Sequence, residues 1–302
     1  MKTTTAFSLL LLAAATAHAG PRTSANYSIT TDTADAGGKR GTSTSYTNDG
    51  SLGGVAGLST VAAPAETAKS GYIGQLYDIT GLLVNAASPN VNEMATLQLA
   101  AWQFLDDTSL LAVPATSVTW GVASGPITGI SAAGVATAGA VYQNTAASMQ
   151  GTFGGFTGPL NLTVLDSIPD NFGSYAGDGV GDDWQVQYFG LPPNANAGPN
   201  ADFDGTGQTN LFKYIAGLNP LDGSRFTLLI APVPGLPGQK NLTFNPVVAG
   251  RTYVITAKPD FTAPTWGAIN ASAPGDNGTA RTITDLSASG AKKFYHVEIT
   301  KP

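Results

Sequence analysis

The sequence predicts a mainly β fold, in which β-sandwich-like units flank a short pair of helices. Short runs of alternating apolar and polar residues predict strands, and the 37 glycines and 19 prolines supply frequent turns. One island of helical pattern lies within residues 167–224. Only 11% of the residues are charged while 42% are hydrophobic, so the chain has enough apolar side chains to form cores.

The first 19 residues have the pattern of a secretory signal peptide. Lys2 precedes an apolar run, and Ala17-His18-Ala19 supplies the small residues at which such leaders are cleaved. An uncleaved membrane anchor is the alternative, but the apolar run is shorter than the roughly 20 residues that span a bilayer. The sequence therefore predicts a secreted or extracellular surface protein that begins at Gly20 and has no membrane span after cleavage.

Charge and cysteine content exclude several classes of function. The formal net charge is −6, and an acidic chain does not attract the phosphates of nucleic acid, so no nucleic-acid partner is predicted. The absence of cysteine excludes disulfides, thiolate nucleophiles and cysteine-ligated zinc. Calcium is an alternative stabiliser for an exported chain, because its oxygen ligands need no redox chemistry.

Residues 20–86 alternate polar and small apolar positions, with turn signals at Gly37-Gly38 and Asp49-Gly50. This pattern predicts a β-hairpin-rich N-terminal region. The many Gly and Ser residues are also typical of a flexible spacer, but residues such as Tyr27 and Leu52 provide buried-face positions that a spacer lacks. We therefore expect strands rather than a linker.

Residues 87–166 contain about five strand patterns, which predict a β-sandwich of about 80 residues. The segment Val118-Thr119-Trp120, followed by ISAAGVATAG, resembles the bacterial immunoglobulin-like domain. That resemblance implies a spacer or adhesion module. Trp120 is predicted to belong to the core, because a lone tryptophan on a strand is usually buried.

Residues 167–224 contain two Asp- and Gly-rich turns, each followed by a short helical pattern. The second turn has the spacing of an EF-type calcium loop when Asp202 is its first position. Its candidate ligands are the side chains of Asp202, Asp204, Thr206 and Asn210 and the main-chain carbonyl of Gln208. The twelfth position is Lys213, which cannot bind a cation, so the closing acidic ligand is missing.

The first turn, counted from Ser174, keeps fewer ligands. Its candidates are the side chains of Asp178 and Asp182 and the carbonyl of Val180, with Gln185 at the twelfth position. Because the number of charged ligands sets the affinity for calcium, the pair predicts weak binding. The alternative is a degenerate pair that keeps its turns and aromatic core without an ion.

The two turns lead into the predicted helices DDWQVQYF, capped by Asp182 or Asp183, and NLFKYIA, capped by Thr209 or Asn210. Trp184 is expected to pack against residues of the second helix. These segments resemble the dockerin-like and thrombospondin type 3-like calcium repeats of secreted bacterial proteins. The whole arrangement is similar to a group of exported proteins from Verrucomicrobia-type bacteria, a resemblance that implies architecture rather than activity.

Residues 225–302 return to strand alternation and predict a C-terminal β-unit, with a hairpin turn at Asp276-Asn277-Gly278. Groups suited to catalysis are scarce, since His296 is the only histidine after the leader. His296 is predicted to lie at a surface or strand edge. Asp106-Asp107 is expected to form a turn rather than a catalytic carboxylate pair.

These observations predict a non-enzymatic secreted protein with a structural or interaction role, whose partner is an extracellular protein or a polysaccharide. The alternative is a polysaccharide-associated protein that uses dockerin-like docking or exposed aromatic residues, namely Trp102, Trp266 and Tyr72. A third hypothesis is an enzyme of unrecognised type, which requires a cleft where aspartates, Glu298 or His296 converge.

Overall fold

The computed structural model describes residues 22–23, 28–29, 38–45, 47–51, 57–62, 65–70, 76–289 and 292–302. The predicted mainly β class is confirmed, with strands arranged in several antiparallel sheets. The chain forms two compact units, one reaching to Gly139 and including Asn144–Leu165, the other made of Ala140–Gln143 and Asp166–Pro302. Within the described ranges, no helix is both long and apolar enough to cross a bilayer. The predicted signal peptide lies outside these ranges.

The N-terminal region contains three antiparallel pairs of short strands. The strands are β1 (Arg22–Thr23), β2 (Ser28–Ile29), β3 (Gly38–Thr42), β4 (Thr47–Ser51), β5 (Gly57–Ala62) and β6 (Ala65–Ser70), each odd-numbered strand pairing with the next. The turn predicted at Asp49-Gly50 is wrong, because both residues lie inside β4. The chain reverses before β4 instead, where the Ser43 hydroxyl oxygen accepts the Ser45 N–H at 3.4 Å.

The first unit continues with two sheets. Their strands are β7 (Ile79–Ala86), β8 (Asn90–Asn92), β9 (Thr96–Leu105), β10 (Leu110–Val113), β11 (Thr119–Ser124), β12 (Ile127–Ile130), β13 (Val135–Ala138), β14 (Thr145–Phe153) and β15 (Phe156–Leu165). One sheet has the order β10-β9-β13-β12, with β7 also paired to β9. The other has the order β11-β14-β15-β8, in which β8 runs parallel to β15.

A hydrophobic core cluster of this unit includes residues from strands of both sheets. Its buried members are Leu82, Val84, Ala101, Val113, Val118 and Phe153. Trp120 packs against this cluster and donates its indole N–H to the Ala115 carbonyl at 2.9 Å, so its predicted place in the core is confirmed. The predicted turn after Asp106 is also present, and the Asp107 carboxylate accepts the Ser109 N–H there at 2.9 Å.

The second unit contains helices α1 (Asp182–Phe189) and α2 (Asn210–Ala216), followed by two further sheets. The strands are β16 (Thr227–Val233), β17 (Leu236–Asn245), β18 (Thr252–Lys258), β19 (Gly267–Ala268), β20 (Gly275–Asn277), β21 (Ala280–Asp285) and β22 (Phe294–Thr300). Their orders are β16-β17-β21-β20 and β19-β18-β22. Gly278, with φ 62°, follows β20 at the predicted hairpin turn.

Candidate functional site: the paired Asp-Gly loops

The predicted cap of α1 is wrong. The N-cap residue is Gly181, and no side chain caps this helix. The carboxylate of Asp182 instead accepts the N–H groups of Asn171 at 2.5 Å and Phe172 at 2.7 Å. Asp182 therefore holds the loop that precedes the helix, which leaves it unable to cap the helix itself.

Helix α2 begins and ends as predicted. The Thr209 hydroxyl accepts the Phe212 N–H at 3.4 Å, and Gly217 closes the helix in the left-handed conformation with φ 75°. The two helices share aromatic contacts, because the Trp184 ring lies 5.0 Å from Tyr188 and 5.8 Å from Tyr214. The expected packing of Trp184 on the second helix is therefore present.

Each loop is closed by one aspartate that accepts main-chain N–H groups. In the second loop, Asp202 accepts the N–H of Thr206 at 3.1 Å and that of Gly207 at 2.7 Å. In the first loop, Asp170 accepts the N–H of Gly177 at 2.6 Å and that of Gly179 at 2.7 Å. Asp170 is thus the structural counterpart of Asp202.

A second pair of main-chain bonds supports this equivalence. The Asp182 N–H donates to the Pro169 carbonyl at 2.8 Å, and the Asn210 N–H donates to the Ala201 carbonyl at 2.8 Å. Each acceptor comes directly before the closing aspartate of its loop. Counting the first loop from Ser174 is therefore wrong: it begins at Asp170 and is longer than the second loop.

Lys213 occupies the closing position of the second loop as a buried cation. Its ammonium group forms an ion pair with the Asp204 carboxylate, and the two side chains are 1% and 6% exposed. Burial raises the pKa of Asp204. Hydrogen bonds from Lys213 and Thr206 and the charge of Lys213 lower it by a larger amount, so the pKa falls to about 2. The second loop therefore contains a positive charge where an EF-type loop has its last acidic ligand.

The remaining predicted ligands of the second loop divide into two groups. Thr206 joins Asp202 and Asp204, because its N–H lies 3.1 Å from the first carboxylate and its hydroxyl donates to the second at 2.9 Å. The predicted ligands at the other two positions are the main-chain carbonyl of Gln208 and the side chain of Asn210, whose Oδ1 is buried without a hydrogen-bond partner among the described residues. Gln208 makes two 2.8 Å bonds with the main chain of Phe226, and the Asn210 amide nitrogen donates to two carbonyls between the helices.

The first loop also receives a donor from its closing position. The Gln185 amide nitrogen donates to the Asp178 carboxylate at 2.9 Å and to the Ala197 carbonyl at 3.0 Å. Asp178 additionally accepts the Val180 N–H at 2.9 Å. In both loops, a side chain of the following helix, Gln185 or Lys213, therefore donates to a loop carboxylate instead of binding an ion.

Asp182 is the most deeply placed carboxylate of the first loop, being 1% exposed. One of its oxygens, Oδ1, has no hydrogen-bond partner in the part of the chain that the structure describes. Burial raises the pKa of Asp182, and the N–H groups of Asn171 and Phe172 lower it. The charges of Asp170 and Asp178 raise it again, so the pKa lies above its usual value.

The first loop therefore has a larger excess of negative charge than the second, in which Lys213 offsets Asp204 and Asp202 has no ion-pair partner among the described residues. Among the described residues, Asp170, Asp178 and Asp182 form no ion pair, whereas Asp204 is paired with Lys213. Across the same residues, no three His, Cys, Asp or Glu side chains lie close enough together to hold a metal ion. An ion in the first loop would thus need main-chain or water oxygens in addition to carboxylates.

A group of aromatic rings lies on or beside the sheet β19-β18-β22, and all of its members except the half-buried Phe294 are exposed. The Trp266 ring is 5.2 Å from that of His296, and the Phe261 ring is 4.0 Å from that of Phe294. The Lys258 ammonium lies 4.7 Å from the Trp266 ring and 5.8 Å from the Phe261 ring. We name these five residues the aromatic patch.

Of the other two predicted platform aromatics, only Trp102 lies among the described residues, and it is not part of the patch. Trp102 is half-buried in β9, where it pairs with Leu83 and Ala112 on the neighbouring strands. Tyr72 lies outside the described residues. His296 is exposed on β22, as predicted, and Glu298 follows it on the same strand.

Comparison with known proteins gives this chain no relative from which a role could be transferred. It matches no protein-family model, and no curated protein is significantly similar to it. The resemblances to immunoglobulin-like domains and to calcium repeats therefore stay predictions from the sequence.

Proposed function

We propose that this chain is a secreted, non-enzymatic protein with a structural or interaction role, in which β-sandwich-like units flank a dockerin-like loop pair. The observation that carries the proposal is the shared closure of the two loops. Lys213 donates to Asp204 and Gln185 donates to Asp178, so in each loop a side chain of the following helix holds one of the loop carboxylates. Side chains engaged in this way support a scaffold rather than a reaction.

The sandwich part of the proposal rests on the cores. In the first unit, Val84 of β7 and Phe153 of β14 belong to one buried cluster, although their strands belong to different sheets. In the second unit, Phe244 of β17 and Ile255 of β18 are likewise clustered across two sheets. Side chains from two sheets that share one core are what a sandwich requires.

Calcium binds weakly in this proposal, and it binds at the first loop. Three aspartates there lack a basic partner among the described residues, and Oδ1 of Asp182 is buried without a hydrogen bond. In the second loop, Lys213 already offsets the charge of Asp204. Because the charge of the ligands sets affinity, we expect a Kd of roughly 10⁻⁴ to 10⁻³ M.

Thermal unfolding of the full chain with and without 10 mM calcium tests this proposal. For a Kd near ~10⁻³ M, calcium should stabilise the fold by about 1.4 kcal/mol, which raises Tm by about 2–4 °C. Asp182→Asn should remove this increase. The matched change in the other loop, Asp202→Asn, should leave it in place, and 10 mM magnesium serves as the ionic-strength control.

Two results would count against the proposed ion site. One is an unchanged Tm of the unsubstituted protein in calcium, which would leave the loop pair as a scaffold without an ion. The other is an equal increase in the Asp182→Asn and Asp202→Asn variants, which would place the ion elsewhere.

A further inference from the structure

The outer face of the sheet β19-β18-β22 carries the aromatic patch. Successive side chains of a strand point to opposite faces, and in β18 Ile255 and Ala257 are buried whereas Val254 is 52% exposed. Lys258 therefore lies on the outer face with Val254. Phe294 is paired directly opposite Lys258 in β22, which places it on the same face.

The patch exposes large apolar surfaces to solvent. Phe261 is 70% exposed and Trp266 is 38% exposed. Contiguous exposed rings are uncommon on protein surfaces and mark sites of interaction. Phe294 and His296 are two residues apart on one strand, so the two ring pairs are separated by about 7 Å. The rings thus form a row on a sheet face, which suits an extended partner.

The charge at the centre of this row limits the chemistry of the partner. Besides the two aromatic rings, the Lys258 ammonium contacts the carbonyls of Phe261 and Ala263, both at 3.5 Å, and it forms no ion pair among the described residues. A cationic partner would be repelled by it. A purely apolar partner would bury this charge without a counter-ion, which is unfavourable.

No acidic side chain among the described residues forms an ion pair with Lys258, although the charge of Lys258 acts on the nearby Asp260 carboxylate. The Asp260 carboxylate accepts bonds of 2.8 and 2.6 Å from the N–H and hydroxyl of Thr262 and a bond of 2.8 Å from the Ala263 N–H. Glu298 lies two residues beyond His296 and is paired with Val254, farther along the sheet from Lys258. An anionic group of a partner can therefore approach the ammonium.

We propose that the aromatic patch binds an acidic polysaccharide. The apolar faces of its sugar rings stack on Trp266 and Phe261, and a carboxylate or sulfate of the sugar pairs with Lys258. This inference rests on the proposed extracellular interaction role and names the surface and the partner for it. It is independent of whether the first loop binds calcium.

Affinity electrophoresis of the full chain in gels containing polygalacturonate, dextran sulfate or neutral dextran tests the proposal. The net charge of −6 repels a polyanion at long range, so the gels contain 0.15 M salt, where the screening length is about 8 Å. We expect retardation by an acidic probe and none by dextran. Trp266→Ala should weaken binding at least about tenfold, and Lys258→Gln should do the same.

Control variants separate the patch from general effects. Leu229→Ala changes a side chain that is 66% exposed on β16, in the other sheet, and should leave retardation unchanged. Phe261→Ala provides a second patch variant should Trp266→Ala fail to fold, which a melting curve detects. Its expected loss of binding is also about tenfold.

Three outcomes would overturn the proposal, and each has a distinct meaning. Equal binding to dextran, lost in Trp266→Ala, would keep the patch as an interaction site but remove the acidic partner. If the Trp266→Ala and Leu229→Ala variants bind an acidic probe equally well, the patch is not the binding site. No binding to any probe would overturn the whole inference, while the proposed loop function would still stand or fall on the calcium melt.

Discussion

Lys213 is almost completely buried, with 1% of its surface exposed, although lysine side chains are normally solvated. It lies on a short helix next to a loop that contains aspartates. Its charge is balanced by Asp204, which in turn accepts the Gly223 N–H at 3.1 Å. A buried pair of this kind adds little stability relative to two apolar side chains, but removal of one partner leaves an unpaired charge. The stability of the second loop therefore depends on Lys213 and not on a bound ion.

Asp285 is a second buried carboxylate, and it gives the C-terminal sheets a defined response to pH. It is 0% exposed, pairs with Lys293 at 2.5 Å and accepts the Tyr295 hydroxyl at 2.9 Å. Burial raises the pKa of Asp285. Hydrogen bonds from Lys293, Ser287 and Tyr295 lower it by a larger amount, so the pKa lies below its usual value.

The direction of the pH effect follows from that lowered pKa. A carboxyl group whose pKa is lower in the folded state stabilises the fold above its unfolded pKa, near ~3.9, and this contribution is lost as the pH falls through the folded value. We expect Asp285→Asn to reduce the free energy of unfolding at pH 7 and to make it less dependent on pH below about 4. Urea unfolding at pH 7 and pH 3 measures both effects.

Tyr295→Phe provides the comparison for this prediction, because it removes one donor to Asp285 and keeps the aromatic ring. It should reduce the pH dependence only in part. An Asp285→Asn variant with the same pH dependence as the unsubstituted protein would show that this carboxylate does not set the acid response.

At the scale of elements, the two loops are equivalent although their lengths differ. Asp170 and Asp202 each accept the N–H groups of their loop, including that of a glycine near its end, Gly179 or Gly207. Both glycines have positive φ, 86° and 80°, which other residues rarely adopt. The closing aspartate and the glycine together set the turn that leads into each helix.

This equivalence predicts which residue at the start of the first loop contributes to the stability of the fold. Asp170 accepts main-chain N–H groups through both carboxylate oxygens, and Asp170→Asn keeps one acceptor oxygen but replaces the other by an NH2 group that cannot accept. We expect a loss of about 1–3 kcal/mol in the free energy of unfolding. Ser174 is exposed, so Ser174→Ala should stay within about 0.5 kcal/mol. Denaturant unfolding of the two variants measures this difference. A larger loss of stability in Ser174→Ala would indicate that the loop begins at Ser174 and not at Asp170.

Local patterns were sufficient for the parts of the fold that depend on neighbouring residues. The cap at Thr209, the helix end at Gly217 and the turn after Asp106 follow from short-range turn and capping chemistry. The packing of Trp120 against the core follows from the usual burial of a lone tryptophan on a strand. Each of these features is decided within a few residues of the chain.

Features that depend on insertion or tertiary contact were missed. Asp170 was overlooked because a fixed EF-type spacing does not allow for the longer first loop; a Pro-Asp pair, Pro169-Asp170, ahead of the glycines was the available signal. The burial of Lys213 beside Asp204 could not be foreseen, because a lysine is normally solvated. The aromatic patch gathers rings from separate strands and loops, which no sequence window contains.

At the scale of the whole molecule, the proposed extracellular role requires export of the chain. The predicted leader ends at Ala19, so the exported protein should begin at Gly20. Expression of the full chain in a bacterial host with a secretory pathway, followed by N-terminal sequencing of each cell fraction, measures this. An intact leader on protein that stays in the cytoplasm would contradict the proposed extracellular role.

The stability of the whole molecule also tests the role of Lys213 as the cation of the second loop. A double-mutant cycle with Lys213→Met, Asp204→Leu and both changes together gives the coupling energy of the pair from denaturant unfolding. Each measurement is made once in EDTA and once in 10 mM calcium. Because Lys213 takes the place of a cation in the second loop, the coupling should not depend on the ion.

We expect a coupling of about 2 kcal/mol, equal in EDTA and in calcium, with the double variant closer in stability to the unsubstituted protein than the two single losses would imply. A coupling within about 0.5 kcal/mol of zero, or one that disappears in calcium, would contradict the assignment of Lys213 as the internal cation of the second loop.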